Sequence, residues 1–220
     1  LQDILGAPPT IRFSYGTLRS RKKKKKKPAR KRSKASVPLG LDPSRTFSHF
    51  IRARSNGLAC SSALDVANNP SYKYNPLYIF SKRSLGKTHL LHAIGNEVMK
   101  KDPNKKALYL SAENILSKFE KEAPYRVDRF WGEEGPPRFL LLDDIQAIAS
   151  LDKVQTELLS LCSLFLESKR QLVVAASAPP GQIKNLLPQL RSRLEWGLIT
   201  EIKVPDQETK MKVVHQKAKQ

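Results

Sequence analysis

The chain has 220 residues, of which 40% are hydrophobic, and its 40 Lys or Arg against 20 Asp or Glu give a net charge of +20. No apolar run approaches the roughly 20 residues that cross a bilayer, and no basic-then-apolar leader opens the sequence, so a soluble, cytoplasmic protein is expected. Two cysteines, Cys60 and Cys162, lie far apart and without ligand spacing, which excludes a disulfide framework and a cysteine-based zinc site and reads as two reduced, packed thiols.

Residues 1–17 read as a short helix end, a Pro-Pro turn and a strand in which Ile11, Phe13 and Tyr15 alternate with Arg12 and Ser14. Residues 18–44 hold the charge. Twelve Lys or Arg and no acid fall between Arg19 and Lys34, so like charges repel and little apolar surface is available. A disordered basic linker is expected there. From residue 45 to 205 the pattern is that of a folded core. Short apolar runs recur at Leu77–Phe80, Ala107–Leu110, Phe139–Leu142, Leu172–Ala176 and Ile199–Val204. Between them, Leu90, Leu91, Ile94 and Val98, and later Val154, Leu158, Cys162 and Phe165, repeat at helical spacing. Strands alternating with amphipathic helices predict an α/β fold, a parallel sheet with helices on both faces. Residues 206–220 read as the start of a further, polar helical element.

The first of these strands runs into Ser81-Lys82-Arg83-Ser84-Leu85-Gly86-Lys87-Thr88, and a helix pattern follows at once. Strand, loop and helix in this order are what a phosphate loop requires. Backbone N–H groups from Ser81 through Ser84 and Leu85 to Gly86 would point at phosphate oxygens, aided by the dipole of the helix that begins at Lys87. Lys87 would reach the β- and γ-phosphates, and the Thr88 hydroxyl would hold Mg²⁺. The full pattern has a glycine where this chain has Ser81. A serine forced to positive φ costs roughly 1–2 kcal/mol, so a strained or reshaped loop is expected. Taken alone, Gly-Lys-Thr is weak evidence and reads more readily as a plain helix start.

Fifty-six residues after Lys87, the run Phe139–Leu142 ends in Asp143-Asp144. Two carboxylates emerging at the C-terminal edge of a buried strand stand where ligands of open α/β sheets bind. Asp143 would hold Mg²⁺ through water, and Asp144 would polarise an attacking water. By itself the pair is also a polar strand end. Leu190-Arg191-Ser192-Arg193 offers cations that could reach a neighbouring subunit's phosphate, although charge alone favours solvated surface arginines.

Several stretches resemble the bacterial replication initiator family of AAA+ ATPases: Asn75-Pro76-Leu77-Tyr78-Ile79, Leu85 through Asn96, Ser111-Ala112-Glu113, Leu142-Asp143-Asp144-Ile145-Gln146, and Leu190 through Leu198. The resemblance implies ATP as ligand with Mg²⁺. It places Asn56 and His89 with the phosphate loop among the nucleotide-binding positions, with the segment Thr46–Asn56 near the adenine. It implies Arg193 as the arginine offered to a neighbour's ATP during head-to-tail assembly, and Ser177 as the sensor position at a strand end. It puts Leu116 and Lys153 on single-stranded DNA. The family's partners are origin duplex and single strand, further copies of itself, the replicative helicase or its loader, and acidic phospholipids. By the same resemblance, residues 1–17 are the tail of a small N-terminal domain, and the segment from 206 opens a helical lid.

The chain departs from the family pattern at Ser81, Lys82 and Ser84, where glycines are usual, and at Ala175-Ala176-Ser177, where a polar triplet is usual. Gln189 stands where a second arginine is expected. These positions contact or sense nucleotide. Three readings therefore stay open: an ATP-switched initiator with at most weak hydrolysis, a catalytically silent initiator paralogue, and a replication regulator or helicase loader acting as an interaction module. The run Lys22, Lys23, Lys24, Lys25, Lys26, Lys27 would bind nucleic acid without sequence preference. With no interleaved aromatics, it gives no sign of base stacking, and it is equally read as a charge-extended linker.

Overall fold

The computed structural model describes residues 40–70, 73–121, 131 and 135–218. Five strands, β1 (Leu77–Phe80), β2 (Ala107–Ser111), β3 (Phe139–Asp143), β4 (Gln171–Ala176) and β5 (Leu198–Glu201), form one sheet in the order β2-β3-β4-β1-β5. Every pairing is parallel. The runs are apolar almost throughout because a parallel sheet is covered on both faces. Strand alternation then decides which layer each residue joins. Leu77 and Ile79 face the layer of α1 (Gly57–Asn68) and α2 (Lys87–Lys101), together with Leu141, Val173 and Ala175. Tyr78 faces the opposite layer with Leu140, Leu142, Leu172 and Val174.

That opposite layer consists of α3 (Ala112–Lys121), α4 (Asp152–Glu167) and α5 (Pro188–Glu195). In α4, Val154, Leu158, Leu161, Cys162 and Phe165 are buried at helical spacing, while Lys153, Thr156 and Ser160 face solvent. Each fully buried large side chain contributes about 1.5–3 kcal/mol. In α2 the buried stripe is Leu90, Leu91, Ile94 and Val98, and Lys100 and Lys101 in the last turn suit the negative end of the helix dipole. The two cysteines are buried and free, one in each layer.

All five strands expected from the sequence are present: β1 has the expected bounds, β2, β3 and β4 each gain one residue at one end, and β5 begins at Leu198 and ends at Glu201 rather than Val204. The start of the core differs more. Residues 41–44, assigned by composition to the linker, pack against α2. Leu41 is buried in the α1–α2 layer. The Asp42 N–H donates to His92 Nδ1 at 3.1 Å, and Asn96 Nδ2 donates to the Asp42 and Arg45 carbonyls at 2.8 and 3.0 Å. One apolar residue among polar ones is a weak signal in sequence, but it is enough to dock a segment that follows the helix surface. Past β5, a polar helix α6 (Gln207–Lys217) follows, with Met211 and Val214 exposed. Among the described residues, no helix is long and apolar enough to cross a membrane. Residues 1–39 lie outside the described residues, and with them the expected N-terminal strand, most of the linker and Lys22–Lys27.

Candidate nucleotide site at the strand tips

The β1 tip continues into Ser81, whose N–H donates to the Ala176 carbonyl at 3.2 Å, extending the sheet by one rung. Ser81 is fully buried, whereas Lys82, Arg83 and Ser84 are exposed and Leu85 is half-buried. The expected strain at Ser81 is not found. The described non-glycine residues at positive φ are Asp144, Lys169 and Asn185, and the loop's left-handed turn falls on Gly86, at φ 99°. Gly86 is needed there twice over: besides its φ, a Cβ would sit 2.8 Å from the Phe50 ring. The loop therefore takes its shape from the glycine next to the helix, and the serine is free to use its hydroxyl. Ser81 Oγ donates to the Arg83 carbonyl at 2.6 Å. Lys87 Nζ, buried at the helix start, donates to Ser81 O, Ser81 Oγ and Arg83 O at 3.2–3.3 Å.

Across from this loop, β3 ends in Asp143, which is 1% exposed. Its Oδ2 accepts from the Thr88 hydroxyl at 2.6 Å and from the Tyr109 hydroxyl at 3.0 Å, and its Oδ1 accepts the Asp144 N–H at 3.0 Å. Burial raises the Asp143 carboxyl above its ordinary range. The Thr88 bond opposes that, the Asp144 charge adds to it, and the Tyr109 bond again opposes it. Tyr109 has its own hydroxyl pushed up, by burial first and then by the Asp143 charge. Asp144 takes the left-handed conformation at φ 56°, ψ 39°, which turns the chain sharply into the 3-10 turn Ile145–Ile148. Its carboxylate is exposed and accepts from Gln146 Nε2 at 3.1 Å. The same amide's Oε1 accepts the Ser177 N–H, at the end of β4, at 3.0 Å.

The segment Thr46–Asn56 closes over the start of α2. His89 Nε2 pairs with the Thr46 carbonyl at 2.8 Å, and the Phe50 ring lies 5.4 Å from the His89 ring. Asn56 spends its amide on its own loop, accepting from the Ala53 N–H at 2.8 Å and donating to Ile51 O at 2.9 Å. Its influence on a ligand is therefore through the shape of residues 51–56. One turn further along α2, His92 stacks on Tyr109 with ring centroids 4.3 Å apart. Burial, reinforced by the Arg45 charge, lowers its pKa to about 4, so it is neutral at ordinary pH and accepts the Asp42 N–H.

Other residues singled out from sequence lie elsewhere. Arg193, in the last turn of α5, is on the layer opposite α2. It is half-exposed and makes a long ion pair to Glu167 at 3.9 Å. Gln189 is exposed on the same helix, and Trp196, just past its end, is 80% exposed. Lys153 is exposed at the start of α4, while Leu116 on α3 is half-buried against the core of that layer. The structure thus brings Ser81, Gly86, Lys87, Thr88, His89, Asp143, Asp144 and Ser177 to one edge of the sheet. Arg193, Leu116 and Lys153 belong to the other layer. Tyr109 and Gln146 are the site residues that sequence reasoning did not single out. Tyr109 reads as one more apolar position of β2, and only the parallel pairing of β2 with β3, which sets Tyr109 opposite Leu141, brings its hydroxyl within reach of Asp143.

The donor set suits a polyphosphate with a hard divalent cation. A hydroxyl and a carboxylate 2.6 Å apart supply the one or two protein oxygens that Mg²⁺ takes when phosphates complete its shell. Lys87, satisfied by three longish bonds to its own loop, can exchange them for stronger charge-assisted ones. Among the described residues, no group of three or more His, Cys, Asp or Glu could hold a metal, so a cation here would depend on its anionic partner.

Strand order, layers and the strand–loop–helix at β1 define the P-loop AAA+ ATPase class. The description "Bacterial DnaA ATPAse domain" matches residues 41–201. The chromosomal replication initiator protein DnaA of Chloroflexus aurantiacus is 42% identical over 185 residues, which cover 82% of this chain and 38% of that protein. Domain III of the Thermotoga maritima replication initiation protein DnaA superposes with a TM-score of 0.75 at 32% identity, covering 81% of this chain and 75% of that one. AMPPCP-bound DnaA from Aquifex aeolicus, and a replication initiator DnaA bound to AMPPCP and single-stranded DNA, each give a TM-score of 0.71 at 28% identity. Each covers 82% of this chain and 56% of the other. The chain belongs to the bacterial DnaA family, through its ATPase domain, and spans well under half the length of the Chloroflexus relative.

Proposed function

We propose that this chain is the nucleotide module of a replication initiator: it binds ATP with Mg²⁺ and assembles head to tail on origin DNA, contributing to duplex opening and helicase loading. The carrying observation is the Thr88–Asp143 pair at 2.6 Å, facing the helix start at which Lys87 is held. The relatives bound to AMPPCP and to single-stranded DNA support the same reading. Lys87 would bind the β- and γ-phosphates, and the loop N–H groups would orient them. Thr88 and Asp143 would hold Mg²⁺, which supplies charge neutralisation of the phosphate oxygens. Asp144 would hold a water by its proton for in-line attack. Arg193, on the layer opposite α2 and partly exposed, would serve a neighbouring copy, and Lys153 and Leu116 would line a path for single-stranded DNA on that layer.

A nucleotide-binding but catalytically silent module is the second reading. It is favoured by one observation, the Ser81 hydroxyl that engages both Lys87 and Arg83. Titration with ATP and Mg²⁺ tests both readings. Lys87→Ala should weaken ATP binding about 10–100-fold, the worth of a charge-assisted hydrogen bond of about 1.5–3 kcal/mol. Equally poor binding by wild type and variant ends the nucleotide reading.

A further inference from the structure

Five bonds close a ring around the C-terminal edge of the sheet. Thr88 Oγ1 donates to Asp143, and the Asp144 N–H donates to the other Asp143 oxygen. Gln146 Nε2 donates to the Asp144 carboxylate, and the Ser177 N–H donates to Gln146 Oε1. The Ser81 N–H then donates to the carbonyl of Ala176, the residue before Ser177. The ring thus joins the phosphate loop, the β3 tip and the β4 tip. Gln146 supplies its one side-chain bridge between the two strand tips.

The chemistry fixes which residue types can fill this place. Ser177 presents a backbone N–H, which can only donate, and the Asp144 oxygen that Gln146 meets serves as an acceptor. The bridging group must therefore offer an acceptor on one side and a donor on the other. A primary amide does this, and its orientation follows from its partners rather than from atom assignment. A glutamate of the same shape would keep the Ser177 bond and set a like charge against Asp144. Asparagine is one methylene too short to span both partners from the same backbone. The backbone beneath Gln146 is held independently, with the Ala147 N–H on Asp144 O at 3.0 Å and the Ala149 N–H on Gln146 O at 3.3 Å. The side chain can thus change without undoing the turn.

We propose that Gln146 is the positioning residue that aims the Asp144 carboxylate and couples that aim to the tip of β4. The proposal rests on the nucleotide reading above. An exposed carboxylate on a sharply turned backbone would otherwise sample several rotamers. Anchored by Gln146, it is held where a water between it and a bound γ-phosphate would be lined up. Displacement of the β4 tip relative to β3, as nucleotide state alters the Ser81 loop, would be transmitted to Asp144 through the same amide.

The test uses the whole 220-residue chain and three variants, Gln146→Ala, Gln146→Glu and Gln146→Asn, with MgATP as ligand. Binding is read by equilibrium titration, and hydrolysis is read as kcat and KM separately. Hydrogen exchange at the Ser177 amide reports the bridge itself. We expect MgATP affinity within about twofold of wild type, kcat lowered about 10–100-fold with KM unchanged, the scale of a misplaced catalytic group. Ser177 exchange should quicken in the alanine variant and stay slow in the glutamate variant. An unchanged kcat in Gln146→Ala overturns the proposal. So does a parallel loss of affinity and rate in all three variants, which would make the residue merely structural. Wild type that binds MgATP without hydrolysing it also overturns the proposal and leaves the nucleotide reading standing. Wild type that binds none removes that reading itself.

Discussion

Burial at the β3 tip works against the charge that Asp143 has to carry, and three hydrogen bonds to its oxygens only partly restore it. Its pKa is raised in the folded chain, so folding favours the protonated carboxyl. The sign follows from linkage. Below the unfolded carboxylate value of about 3.9 the group is neutral in both states and costs nothing. As pH rises toward and through the raised folded value the cost appears, and it is fully present above it. Asp143→Asn removes the charge, so its melting temperature should gain on wild type as pH goes from about 4 to 7, while MgATP binding weakens. Thermal melts across that range check the first part, and a wild-type stability that rises with pH relative to the variant would contradict the assignment. Stability given up at a buried carboxylate is what the proposed cation-holding role would entail.

At the scale of elements, Gln155 sets the place of α5. Fully buried at the start of α4, it donates to Ala149 O at 2.8 Å and Asn185 O at 3.0 Å, and accepts the Leu187 N–H at 2.7 Å. It thus pins the loop that leads into the helix bearing Arg193. Gln155→Leu keeps the volume and strands three backbone groups, each costing about 1–3 kcal/mol if left unpaired. Chemical denaturation should show a loss of at least that size, with the Lys87 loop unaffected in nucleotide binding. Such polar pins were not legible in the sequence, where Gln155 is a helical polar residue like Thr156 beside it. What was legible was what repeats locally. The five strands came from short apolar runs, α2 and α4 from their stripes, and the loop and β3 tip from Lys87-Thr88 and Asp143-Asp144. Tyr109 and Gln146 escaped because their partners arrive from other strands. The strain expected at Ser81 rested on a glycine pattern, whereas the backbone puts its left-handed turn at Gly86.

For the whole molecule, charge and fold are separate properties. The described core begins only after the basic run, which supplies twelve of the cations behind a net charge of +20. If Lys22–Lys27 contact phosphates, binding to single-stranded DNA should fall steeply with salt, by a slope of about −0.7 per phosphate neutralised. Replacing those six lysines with serine should then flatten the slope by up to about 4, measurable by anisotropy titrations at several salt concentrations. An unchanged slope would assign the DNA contact to the folded core alone.

The strand order has a temporal meaning as well. Among the described strands β1 comes first in sequence, yet its two neighbours are β4 and β5, the last of them to be made. The pairings that frame the phosphate loop therefore close spans of roughly a hundred residues, and such long closures are slow to form. During synthesis β1 waits as an unsatisfied edge until nearly the entire ATPase domain has left the ribosome. The pocket at the strand tips is then among the last parts of the domain to mature.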